Sequence, residues 1–126
     1  MKGLIISCVL MLLVVVLMIT SWVAIENAGK KMCKKTEEIK TFVKEEDWEK
    51  ALTATKALQK EWEKDVKWLT MLIDHSETDE IAKELYALEE YIIYEETPEL
   101  MATASMLYGL FEHIPKKERP SPENII

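Results

Sequence analysis

Two acid–histidine pairs, Asp74-His75 and Glu112-His113, are the residues of this chain whose types could do chemistry together. Each closes an apolar run, Met71-Leu72-Ile73 in one case and Gly109-Leu110-Phe111 in the other. Two imidazoles and two carboxylates at one place would suit a divalent metal such as zinc. An imidazole titrating near neutrality would also serve a pH-sensing contact. The plainer reading comes first: a histidine at a helix C-terminus is favoured by the negative end of the dipole. The spacing matches no recognised zinc pattern. Ser76 and Ser105 lack the glycine-rich elbow of a serine hydrolase. There is no phosphate loop, dinucleotide fingerprint or HExxH helix. Glu37-Glu38, Glu45-Glu46 and Glu89-Glu90 read as solvated helix faces. Tyr86, Tyr91, Tyr94 and Tyr108 read as the margin of a core rather than the lining of a ligand groove. The sequence names no catalytic residue, implies no cofactor and argues against an enzyme.

The elements that must position these residues start at a membrane segment. Gly3 to Ile25 carry no charge, and a bilayer core of about 30 Å needs about 20 helical residues. A cleaved signal peptide would want small residues before Ala24 and Ala28, where Trp22 and Glu26 stand. The lipobox-like Ile5-Ile6-Ser7-Cys8 arrives before any apolar region has passed. An uncleaved single-span anchor fits best, with Trp22 near the interface. Orientation is contested. Lys30, Lys31, Lys34, Lys35 and Lys40 outweigh Lys2 and would hold the C-terminal domain in the cytoplasm. A basic residue leading at once into an apolar run is instead the layout of a signal anchor, which exports the chain beyond it.

All 23 acidic residues, and every basic one except Lys2, lie beyond the anchor. So acidic a domain repels nucleic acid and has no basic, aromatic-studded surface to bind it. Its one basic cluster, Lys30, Lys31, Lys34 and Lys35, borders the membrane and is a candidate for anionic lipid head groups. Otherwise it is a solvated stretch that influences topology. Cys8 and Cys33 cannot meet within one chain, so a disulfide framework is excluded; Cys33 could pair between two copies.

Beyond residue 25 the chain reads as helix. A juxtamembrane helix covers 26–44, with Ile39, Phe42 and Val43 as its apolar contacts. A second helix is capped by Asp47 and runs to Asp74, with Trp48, Ala51, Thr55, Leu58, Trp62, Val66, Leu69 and Ile73 in a stripe. Ser76 and Asp79 resemble a capping box for a third, which carries Ile81, Leu85, Leu88 and Ile92. Thr97-Pro98 opens a fourth, bearing Leu100, Ala104, Leu107, Phe111 and Ile114 and stopping at Pro115. The tail from Lys116 reads as loop, with Ser121-Pro122 opening one turn. Short connections predict an all-α fold: a single N-terminal transmembrane helix (1–25), then an antiparallel bundle of three to four helices (45–115) and a tail (116–126). That topology brings both acid–histidine pairs to the membrane-proximal end. There Val66, Trp68, Met71 and Leu72 point all round the second helix, leaving an apolar face for the lipid interface or a partner's transmembrane helix.

A resemblance adds to this. Glu46, Trp48-Glu49-Lys50-Ala51, Glu61-Trp62, Trp68, Leu72-Ile73-Asp74-His75, Glu112-His113-Ile114-Pro115 and Glu123-Asn124-Ile125 together are similar to an uncharacterised family of small membrane-anchored proteins from endospore-forming Gram-positive bacteria. The likeness covers nearly the whole chain and transfers no catalytic residue. It implies a bacterial cell membrane, a domain outside the cytoplasm and a polytopic membrane protein as companion. The resulting expectation is a non-enzymatic interaction or scaffold subunit, with homo-oligomers possible. The alternative is a sensory domain binding a small ligand or metal in or at the end of the bundle.

Overall fold

One unbroken helix, α1 (Lys2–Lys44), carries the chain from its apolar start into the bundle in the computed structural model, which describes residues 1–118. Residues 1–20 of the chain are all exposed. Among the described residues α1 is the one helix long and apolar enough to cross a membrane. From Ile25 onward the same helix buries a stripe: Ile25, Ala28, Met32, Cys33, Thr36, Ile39 and Val43. The juxtamembrane part is thus a full member of the bundle, with more inward contacts than Ile39, Phe42 and Val43. Small residues and a threonine hid this face from hydropathy. Thr36 donates its hydroxyl to Met32 O at 2.9 Å, so it enters the core with its polar atom satisfied.

The remaining helices are α2 (Trp48–Leu69), α3 (His75–Ile93) and α4 (Thr97–Glu118), and no strand occurs among the described residues. Each packs on its neighbours in the ring α1–α2–α3–α4–α1. With short connections this is an up-and-down four-helix bundle. The inward stripes of α3 and α4 are the ones the spacing predicts, all buried. At the end nearest the span, Trp62 and Phe111 meet with ring centroids 6.1 Å apart. The space they share with Ile25, Met32, Leu69 and Ile114 has no room for a water molecule.

Both distal turns end a helix in the same way. Asp47 N donates to Phe42 O at 2.9 Å and Glu46 N to Val43 O at 3.0 Å. Glu96 N donates to Tyr91 O at 2.9 Å and Glu95 N to Ile92 O at 3.1 Å. These are Schellman motifs. Their left-handed position, usually glycine, holds Glu46 (φ 58°) and Glu95 (φ 52°). Asp47 then caps α2 as expected, accepting from Lys50 N. The first intrahelical bond of α4 runs from Leu100 N to Glu96 O, so Pro98 sits in a first turn where a missing N–H costs nothing.

Two boundaries differ from the sequence reading. The second helix stops at Leu69, not Asp74, because Asp74 caps α3: its Oδ1 accepts from Ser76 N at 3.2 Å. Ser76 therefore does not open a capping box. The fourth helix continues past Pro115 to Glu118, so residues 116–118 are helical rather than loop. The Ser121-Pro122 turn and Glu123-Asn124-Ile125 lie outside the described residues.

Candidate functional site

The acid–histidine pairs come out at the expected end but in unexpected settings. Leu69 of α2 and Ile114 of α4 line one space with Ile25, so both pairs belong to the end of the bundle nearest the apolar segment. His75, however, is the first residue of α3, so it faces the positive end of a helix dipole. His113 lies within α4, more than a turn before Glu118. The helix C-terminal rationale therefore fails for His75, because the chain turns between Thr70 and Asp74. Both imidazoles are exposed. Among the described residues no three or more His, Cys, Asp or Glu side chains converge as metal ligands. Asp74 is occupied as a cap.

A different polar cluster is built instead, on the seam between α1 and α2. Asp65 stands on the inward stripe of α2, one turn from both Trp62 and Leu69, and is buried. Lys31 Nζ lies 3.1 Å from Asp65 Oδ2 and 2.9 Å from Glu61 Oε2. Trp68 Nε1 donates to the other oxygen, Oδ1, at 3.3 Å. Both oxygens of the buried carboxylate are thus partnered, as burial of a charge demands. The close contact with the Glu61 carboxylate holds the Lys31 ammonium above its ordinary range, and the same contact holds Glu61 below the usual carboxylate range. The sequence signal was available: a carboxylate at a core position of an apolar stripe.

This cluster divides the four lysines offered for lipid head groups. Lys31 pairs with Glu61 and Asp65 of α2, and the charge of Lys35 is felt at Glu61. Lys30 pairs with Glu26 one turn below at 3.3 Å. Lys34 is exposed. The four lysines do not form one basic face. Cys33 is also taken up inside: its Sγ donates to Tyr108 O at 3.5 Å, and burial pushes its thiol up to about 11. Pairing between two copies through Cys33 would require the bundle to open.

The apolar end of α2 divides. Val66 and Trp68 are half-buried against the core. Met71 is 81% exposed and Leu72 partly so. Leu72 is the wall contributed by the bundle to a groove otherwise made by Val14, Leu17, Met18, Ser21, Trp22 and Ile25 of α1. Tyr91 and Tyr108 edge the core as predicted, whereas Tyr86 and Tyr94 stand out in solvent. A second groove of about 260 Å³ lies between α2 and α3, floored by Trp62, Val66 and Leu85, with His75, Asp79 and Tyr86 among its other lining residues.

A family model described as a domain of unknown function (DUF4363) matches residues 19–125, from the last turns of the apolar segment through the whole bundle. No curated protein and no solved structure matches the chain.

Proposed function

The chain belongs to the DUF4363 family, and we propose that it is a non-enzymatic, membrane-anchored interaction or scaffold subunit of a bacterial membrane complex. The observation that carries this reading is the exposed apolar C-terminal end of α3. Ile93 and the adjoining C-cap Tyr94 are 51% and 70% exposed, and Tyr86, two turns earlier, is 67% exposed, although the bundle has already closed its core. Large aromatic and aliphatic side chains left in solvent are the kind that protein contact surfaces collect. The apolar start of α1 supports attachment to a cell membrane, and on this reading the companion is a polytopic membrane protein whose part outside the bilayer meets the distal end of α3. The domain then projects outside the cytoplasm, in keeping with the signal-anchor layout.

Purification of the full chain from native membranes in mild detergent tests this, comparing the wild type with Ile93→Ser/Tyr94→Ser. Loss of one reproducible companion, with helicity and melting unchanged, supports the reading; unchanged recovery rejects it. The side of the membrane is read with an impermeant thiol reagent on intact cells carrying Lys56→Cys, since buried Cys33 cannot report. Labelling only after lysis would reverse the orientation.

The groove between α2 and α3 supports a second reading, a domain that binds a small ligand. Ile93 and Tyr94 do not line it. A ligand that raises the melting temperature of the wild type, and loses that effect in Val66→Trp, would favour binding over scaffolding.

A further inference from the structure

The geometry points to a second membrane contact: the turn Thr70-Met71-Leu72-Ile73 dips into the bilayer beside the span, so that the domain is held against the membrane at two places. The inference rests on α1 spanning the membrane. The groove that Leu72 shares with α1 runs from Val14 to Ile25, about 16 Å along the helix axis. Every α1 residue in it belongs to the charge-free segment, below Glu26, the first charged residue on that side. The turn has therefore come back to the level of the last turns of the span, where the surroundings are lipid.

Its side chains divide accordingly. Ile73 turns inward and is buried with Leu69, Leu72 leans on the span, and Met71 points away from all protein. No charge occurs from Trp68 to Ile73, and charges flank the stretch at Lys67 and Asp74. Chain that enters hydrocarbon must also satisfy its own backbone. This turn does so for its donors. Thr70 N donates to Val66 O, Met71 N to Trp68 O, and Leu72 N and Ile73 N both donate to Leu69 O. The Thr70 hydroxyl donates to Lys67 O at 3.2 Å. An apolar exposed tip with its N–H groups internally bonded, set against a membrane helix, is suited to acyl chains rather than to water. Trp22 lines the same groove as Leu72, at the depth where indole rings favour the interface.

The test uses the full chain, purified alone and reconstituted at low protein-to-lipid ratio, so that neither a companion nor a second copy shields the turn. Cys8→Ala removes the exposed thiol, while buried Cys33 stays unlabelled. Single Met71→Cys, Met18→Cys and Lys56→Cys variants then carry an environment-sensitive dye in phosphatidylcholine vesicles with or without brominated acyl chains. Brominated lipid should quench the dye at positions 71 and 18 at least two-fold and leave position 56 unchanged. Quenching at 18 but not at 71 would overturn the second contact and leave the span intact. Absence of quenching at 18 as well would remove the span and the proposal with it. Met71 is exposed, so its replacement leaves the fold in place.

Discussion

Lys31 and Asp65 join α1 to α2 across 3.1 Å, with Trp68 holding the far oxygen of the same carboxylate. The helix that carries the apolar segment is thereby locked in register with the helix that returns toward that segment. Lys31→Met would leave the buried carboxylate with only the indole as partner. Fully buried pairs cost about 3–5 kcal/mol when broken. Lys31 remains partly solvated and Trp68 keeps its bond, so we expect a loss of about 2 kcal/mol, read as a lowered denaturation midpoint in mild detergent. Replacing exposed Lys34 with Met should change the midpoint far less.

The same brace gives stability a pH window. The folded state holds Lys31 above its ordinary value of 10.5, so the stabilisation is complete below that value and is lost as pH rises through the folded one. It holds Glu61 below 4.5, so that contribution is present above 4.5 and lost as pH falls through the depressed value. Melting temperature measured across pH should show a plateau between these limits. Lys31→Met should weaken the fall on both sides.

The two left-handed glutamates are an unforced source of added stability. A side chain at positive φ costs about 1–2 kcal/mol, which glycine avoids at some expense in unfolded-chain entropy. Glu46→Gly and Glu95→Gly should each raise stability by about 0.5–1 kcal/mol. The two turns share no hydrogen bond, so the double variant should come close to the sum. A fall in melting temperature in either single variant would count against the capping geometry.

The contacts explain where the chain was legible and where it was not. The inward faces of α3 and α4 and the Asp47 cap could be read directly, because apolar spacing and cap chemistry agree there. The end of α2 could not. Met71-Leu72-Ile73 continues the apolar pattern of the helix, and only the competition between Asp74 and Ser76 as the next cap decides that the chain turns. That single shift moved His75 from the end of one helix to the start of another. Counting lysines likewise ignored helical phase: Lys30 and Lys34 face outward, while Lys31 turns toward Glu61 and Asp65. The inward face of α1 was hidden by Ala28, Cys33 and Thr36, residues too small or too polar to register as core.

Cys33 should be chemically silent in the folded chain. A thiol pushed up to about 11, against an ordinary value of 9.0, presents roughly a hundred-fold less thiolate at neutral pH, and the thiolate is the nucleophile. Its burial against Tyr108 adds a steric barrier. Maleimide at pH 7 should leave Cys33 unmodified for hours in detergent and label it at once after unfolding. Rapid labelling under native conditions would show that α1 and α4 separate.

Phe111 and Met71 lie at the same end of the domain and should respond in opposite ways. Phe111 is fully buried, packed on Trp62 in a layer with no space for water. Phe111→Ala therefore removes both transfer energy and packing, and about 3–5 kcal/mol should be lost. Much of a small domain's stability would go with it. Met71 touches no core residue, so Met71→Ser should alter the melting temperature in detergent by no more than an ordinary surface change, about 0.5 kcal/mol. In vesicles the same substitution places a polar group where the turn meets lipid, and the wild type should melt higher than the variant there. A difference that appears in vesicles and vanishes in detergent would assign Met71 to the membrane; equal melting in both would return it to water.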